Sequence, residues 1–276
     1  MTTPRASGPY ALEKTPPPEL LDDLRLQLPW ASKAAALDIL GPLFLEVGGS
    51  LGMLTLAARR RGLPCLDPFL FSRARRKHVD RRDPRSAMDQ YHIRQMAANR
   101  YIYHLHFAIS CSTWGKAVCN RSCGSRRDAA PEGFPPTAAE AADNDYLNFV
   151  LDVFRELLRL GRHCTIVHPA DSWLWHMPGI LDLRRNGLFE CVIDVCCFGA
   201  DTQPGDRSNM PRARTRVLST DPIFISLVRV CPGFPVHLHH QCKTPAGQTS
   251  VDFPLALARE WVDLWDVGWQ RDLRRS

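Results

Sequence analysis

Phe44-Leu-Glu-Val-Gly-Gly-Ser-Leu-Gly-Met-Leu-Thr55 is the stretch on which the fold turns. The apolar run Leu43 to Val47 ends at Gly48-Gly49, and Leu51 to Arg61 then continues with helix-forming residues until Gly62. Strand, glycine turn, helix is the order such residues favour, because glycine adopts backbone angles that other residues resist. Working outward, the alternation repeats. Leu63 to Asp67 reads as a second strand, Arg85 to Arg100 as a helix, and Tyr101 to Ala108 as a strand rich in aromatic residues and Ile. Residues 139–160 set Leu147, Val150, Leu151, Phe154, Leu157 and Leu158 at helical spacing, with Gly161 as the stop. Cys164 to Val167 and Phe189 to Val195 read as buried strands, Thr215 to Thr220 as a last, antiparallel strand, and Leu255 to Asp266 as a helix. The pattern predicts an α/β fold of three layers, α/β/α and Rossmann-like: a mostly parallel sheet with helices on both faces and ligands at the carboxyl ends of its strands.

With 276 residues, 45% of them hydrophobic, the chain can bury a sizeable core. The expected organisation is a disordered lead and short helix over 1–35, a core over 36–245 and a helical tail over 246–276. No stretch reaches the roughly 18 to 20 apolar residues of a membrane helix, and the first residues lack the apolar run of a secretory signal. The expectation is therefore an intracellular protein, nuclear or cytoplasmic, that does not span a membrane. The ten cysteines follow no secreted-framework spacing and read mostly as reduced thiols. The formal charge of +6 comes largely from arginine clusters, Arg59 to Arg61, Arg73 to Lys77, Arg121 to Arg127 and Arg212 to Arg216. Arginine suits phosphate, so nucleic acid is a fitting partner, and a solvated basic surface is the plainer alternative.

Glu46-Val-Gly-Gly-Ser-Leu-Gly52 lets a ligand approach the backbone at a helix start, and Asp67 follows 21 positions after Glu46, where an acid can accept ribose hydroxyls. Together Glu46, Gly48, Gly49, Gly52 and Asp67 suit a nucleoside cofactor. The spacing G-G-x-x-G departs from the G-x-G-x-x-G of dinucleotide sites, which disfavours NAD.

The order of segments resembles the cytosine-C5 DNA methyltransferases, and more closely a divergent relative of them found in mobile-element and phage-like sequences. Residues 44–55 resemble the first cofactor motif. By the same resemblance Asp67 is the ribose-binding acid, Asp80 contacts the adenine amino group, and the cofactor is S-adenosylmethionine. His104-Leu-His-Phe-Ala-Ile-Ser-Cys-Ser-Thr-Trp114 resembles the strand and loop that carry the nucleophile, which makes Cys111 the thiolate that adds to the base. Val167-His-Pro-Ala-Asp-Ser-Trp-Leu-Trp175 resembles the Glu-Asn-Pro/Val segment, with Val167 and His168 in place of the glutamate and asparagine. The two prolines before the cysteine are replaced by Ile109 and Ser110. Valine cannot exchange a proton, so the resemblance implies impaired activation of cytosine unless His168 or Asp171 substitutes. Asp194 to Gly199 with Arg212, Arg214 and Arg216 resembles the late strand and basic segment near DNA, where the arginines would contact phosphate. The 60 residues after Arg216 show no separate target-recognition domain.

Other readings stay open on the residues alone. One is a nonenzymatic nucleic-acid-binding scaffold, and another is a decaying mobile-element product. A zinc site built from Cys119, Cys123, Cys196, Cys197, His237 or Cys242 is disfavoured, because no C-x-x-C pair occurs. Oligomeric state is not legible.

Overall fold

The computed structural model describes residues 43–49, 52–71, 83–98, 102–116, 124–198, 209–211, 214–232, 238–240 and 253–275. The expected lead and short helix of 1–35 lie outside these residues. In chain order the elements are β1 (Leu43–Gly48), α1 (Met53–Arg61), α2 (Ala87–Ala98), β2 (Ile102–Ala108), α3 (Ala138–Arg159), β3 (His163–Pro169), α4 (Pro178–Arg185), β4 (Phe189–Asp194), β5 (Asn209–Pro211), β6 (Arg214–Ser219), β7 (Leu238–His240) and α5 (Leu255–Leu273). Short 3-10 turns cover Trp173–His176, Val195–Phe198 and Pro222–Leu227.

Five strands form one mixed sheet in the order β1-β2-β3-β6-β4. β1, β2 and β3 are parallel neighbours, and β6 runs antiparallel between β3 and β4. Four of the five strands thus point one way, with β6 the exception the sequence anticipates. β5 and β7 form a separate parallel pair.

Helices cover both faces of the sheet. Leu43, Leu45, Leu105, Phe107 and Ile166 pack with α2, α3 and α4 on one side. Phe44, Tyr103, Val167, Cys191 and Val217 pack with α1 and α5 on the other. This alternation follows from the pleat, which sends successive side chains to opposite faces.

α3 is held at its start by a capping box: the Thr137 hydroxyl accepts from the Glu140 amide, and the Glu140 carboxylate accepts from the Thr137 amide. At its far end Gly161 takes a left-handed φ of 66°, and the chain turns into β3. α5 extends past the predicted 255–266 and lays Trp261 and Trp265 against the sheet.

The second predicted strand forms only as an irregular edge. Residues 64–71 run alongside β1 through isolated bridges, Phe44 to Cys65 and Val47 to Phe69, and through backbone bonds such as Phe69 N–H to the Glu46 carbonyl at 3.0 Å. Pro64 and Pro68 lack the N–H groups that a regular ladder needs. Apolar content alone concealed that interruption.

Candidate functional site

The parallel strands β1, β2 and β3 end side by side. Gly48 is in register with Ala108, and Ala108 with Val167. Three connections therefore meet at the carboxyl edge of the sheet: the turn Gly48-Gly49, the loop Ile109 to Lys116, and the turn after Pro169. The Gly49 amide donates to the Ala108 carbonyl at 3.1 Å, which ties the first two together. A Cβ at Gly48 would overlap that carbonyl oxygen, and its φ of 87° is itself a glycine conformation. Close approach of two backbones, rather than an approaching ligand, is what demands glycine there. Gly49 has more room, since a Cβ would meet nothing closer than 3.8 Å.

Glu46 is 4% exposed, and its carboxylate accepts from the Thr55 amide and hydroxyl, each at 2.8 Å. Thr55 lies in the first turn of α1, behind Gly52 at the N-cap with φ 64°. The glutamate therefore caps this helix from within the sheet. Asp67 lies on the irregular edge segment that runs beside β1. It pairs with Arg59 in the last turn of α1, below the carboxyl edge, and is about half exposed. The structure brings Glu46, Gly48, Gly49 and Gly52 together, and Asp67 precedes the Pro68 whose ring faces Gly52, with its carboxylate engaged by Arg59. Asp80 lies outside the described residues.

Cys111 is partly buried and is not in a disulfide. The loop that carries it is fixed by a polar network that sequence reading missed. Asp143 of α3, 3% exposed, accepts from the Ser112 hydroxyl at 2.8 Å, the Thr113 hydroxyl at 2.6 Å and the Arg85 guanidinium at 2.6 Å. Arg126 is buried over the Trp114 ring at 3.6 Å and donates to Thr113 and to the Asn144 side-chain carbonyl. Glu140 holds the Ser125 and Arg126 amides. Burial alone would raise its carboxyl, but the hydrogen bonds from Thr137 and Ser125 win and bring it to about 2. The Thr137-x-x-Glu140 signature was the available signal for this network. Asp143 carried none, being one of three acids between residues 140 and 145.

Val167 is buried among apolar residues of the α1 and α5 face. His168 is 2% exposed, and its Nε2 lies 3.4 Å from the Ser110 carbonyl. Burial brings its pKa down to about 3, so the ring is neutral at pH 7, and a carbonyl acceptor requires the Nε2–H tautomer. His168 thus buttresses the residue before Cys111. Asp171 is exposed on the turn beyond β3.

The basic segment is engaged internally. Arg214 makes a two-pronged contact with buried Asp194, at 2.8 and 3.2 Å. Arg216 pairs with Glu190 at 3.2 Å and lies over the Trp175 ring at 5.4 Å. Arg212 lies outside the described residues, as do Cys119, Cys123, His237 and Cys242. Among the described residues no cluster of His, Cys, Asp or Glu could hold a metal ion. Acidic and basic residues balance among them, so the +6 surplus is carried elsewhere in the sequence, above all by Arg73, Arg75, Arg76, Lys77, Arg81 and Arg82.

No helix among the described residues is long and apolar enough to cross a membrane. No family model matches the chain, and no curated protein or solved structure matches it either.

Proposed function

We propose that this chain is a cytosine-C5 methyltransferase-like protein on a Rossmann-like methyltransferase fold, with impaired catalysis, acting on or binding nucleic acid, DNA by the resemblance. The observation that carries this reading is the meeting of the Gly48-Gly49 turn and the Cys111 loop at the carboxyl ends of adjacent parallel strands. The antiparallel β6 beside β3 agrees with the last, antiparallel strand read from the residues Thr215 to Thr220.

S-adenosylmethionine fits these residues in part. Gly49 leaves its backbone open to approach, whereas Glu46 is engaged by Thr55 and Asp67 by Arg59. Bound there, the cofactor would supply the methyl group. The chain's own part would be to hold Cys111 for attack on the base, through Asp143, Thr113 and His168, and to meet phosphate with basic residues. Impairment follows from Val167, which can neither donate nor accept a proton, and from His168, whose neutral ring is occupied with the Ser110 carbonyl.

A nonenzymatic nucleic-acid scaffold is the second reading, favoured by the engagement of both candidate cofactor acids. Calorimetry with S-adenosylmethionine separates the two. Saturable binding by wild type and by Cys111→Ser, with transfer to DNA only in wild type, supports the methyltransferase reading. A folded protein that binds DNA with steep salt dependence and takes up no cofactor would leave the scaffold.

A further inference from the structure

Three thiols gather where β4 ends. Cys196 is buried in the 3-10 turn Val195–Phe198, Cys197 beside it is exposed, and Cys231 is half-buried on a separate segment. That segment is pinned to β4: the Asp194 amide donates to the Arg229 carbonyl at 2.9 Å, and the Cys231 amide donates to the Asp194 carboxylate at 2.8 Å. Ile193 and Arg229 form a parallel bridge. These contacts bring the Cys231 thiol within hydrogen-bonding reach of Cys196.

We infer that Cys196 and Cys231 form a thiol-disulfide exchange site, which takes a low-molecular-weight disulfide such as oxidised glutathione and closes into an intramolecular bridge. Cys231, the more accessible of the pair, attacks one sulfur of the small disulfide as a thiolate. A mixed disulfide forms and one small thiolate leaves. Cys196 then gives its proton to that thiolate and attacks the Cys231 sulfur, and the second small group leaves as a thiolate that takes up the proton Cys231 released on ionising. Two protein thiols are oxidised by two electrons, and the small disulfide is reduced to two thiols.

The order of steps follows from environment. Burial, then the hydrogen bond with Cys231, pushes the Cys196 thiol up to about 12, so Cys196 stays protonated until its neighbour is modified. Cys197 is the poorer partner despite its position. Adjacent residues hold their Cα atoms about 3.8 Å apart, short of the roughly 4.4 to 6.8 Å that a disulfide prefers. The bridge would clamp the 229–232 segment to the end of β4, beside the Asp194 carboxylate that holds Arg214. This inference stands apart from the methyl-transfer reading.

The test is a glutathione redox titration of the full chain under native conditions, quenched with a thiol-blocking reagent and mapped by peptide mass spectrometry. Wild type is expected to lose two thiols and yield one Cys196–Cys231 crosslink that dithiothreitol reverses. Cys231→Ser should abolish intramolecular bridging of Cys196 and leave Cys196 blocked by the reagent only after unfolding. Cys197→Ser and Cys242→Ser should retain it. The inference is overturned by a bridge from Cys196 to another cysteine that forms as readily in Cys231→Ser, by loss of the Cys196–Cys231 crosslink in Cys197→Ser, or by mixed disulfides with no intramolecular bridge.

Discussion

The carboxylate of Glu46 in β1 accepts both the backbone N–H and the hydroxyl of Thr55, each at 2.8 Å, and so joins the first strand to the start of α1. A residue placed by sequence at a cofactor is thereby accounted for by the fold itself. Because the carboxylate is buried, removing a donor leaves desolvation uncompensated. Thr55→Val keeps the amide donor and deletes the hydroxyl, and should cost about 1 to 3 kcal/mol. A denaturant unfolding midpoint indistinguishable from wild type would show that the hydroxyl contributes nothing. Cofactor affinity in the same variant tells whether capping and binding share this acid.

Val167 makes a second case. If the position faces a reaction site, restoring the carboxylate with Val167→Glu should raise methyl transfer to DNA. The structure argues otherwise, because Val167 is 5% exposed within an apolar cluster that includes its register partner Val217. We expect a loss of stability of about 2 to 5 kcal/mol, from a buried carboxyl without partners, and no gain in transfer. Thermal unfolding and a tritiated-methyl assay on the same preparation decide it.

Much of the fold was legible because its elements differ in period. Leu147, Val150, Leu151, Phe154 and Leu157 mark the core face of α3 at 3.6-residue spacing, and the whole run of β1 is buried, as a parallel strand covered on both sides requires. The late antiparallel strand was found within a residue at each end. What sequence could not give was partnership. Glu46, Asp67, Arg214 and Arg216 have the composition of ligand-binding residues, yet each closes on a charge or donor brought near by folding: Thr55, Arg59, Asp194 and Glu190. Partners 8, 9, 20 or more residues apart share no single spacing that a local pattern could reveal. Asp143 was invisible for the same reason, since the hydroxyls it holds lie 30 residues away.

Three histidines make stability depend on pH. His104 and His106 share the Thr165 hydroxyl, at 3.1 and 2.9 Å, in the core under α5. Burial depresses both, His106 to about 3, and does the same to His168. The folded pKa lies below the unfolded value, so the unfolded chain binds more protons as pH falls past about 6.5. Stability should be full above that pH and decline toward pH 3, by up to about 1.4 kcal/mol per pH unit for each histidine. Denaturant midpoints at pH 7.5, 6 and 5 measure the slope, and a flat profile would contradict neutral burial. Glu140 contributes fully above its unfolded value of about 4.3, and that contribution is lost as pH falls from there through about 2.

α5 is locked at its end by charge and in its middle by aromatic packing. Asp272 accepts from Tyr103 at 2.8 Å and lies 2.7 Å from His163, while Arg271 bonds both oxygens of buried Asp221 at 2.9 Å. Burial would raise the Asp272 carboxyl, and the bonds from His163, Arg271 and Tyr103 outweigh it and hold it well below the usual range. Trp261 is fully buried, with its ring 4.9 Å from Phe224 and 5.0 Å from His106. Trp261→Ala should cost about 3 to 5 kcal/mol, and Asp272→Asn less, as the residue keeps its shape. Equilibrium unfolding followed by far-ultraviolet circular dichroism ranks them. The reverse ranking would mean that the ionic end, not the aromatic face, docks the helix.

Asp143 fixes the loop that presents Cys111, and this can be read without any substrate. The carboxylate is the common acceptor of Ser112, Thr113 and Arg85, so Asp143→Ala frees three groups at once, two of them directly after the cysteine. The variant leaves the capping box at Thr137 and Glu140 in place, so α3 should keep its helicity. Losing about 1.4 kcal/mol of loop closure corresponds to a tenfold larger open population. Alkylation of Cys111 by iodoacetamide, followed at its own peptide by mass spectrometry, should therefore accelerate by about tenfold. Cys164, buried in β3 and far from the loop, serves as the internal control and should stay unmodified. Acceleration at both sites would indicate global unfolding, and acceleration at neither would mean that the loop is held by Trp114, whose carbonyl accepts from Trp173 and Ser172, rather than by Asp143.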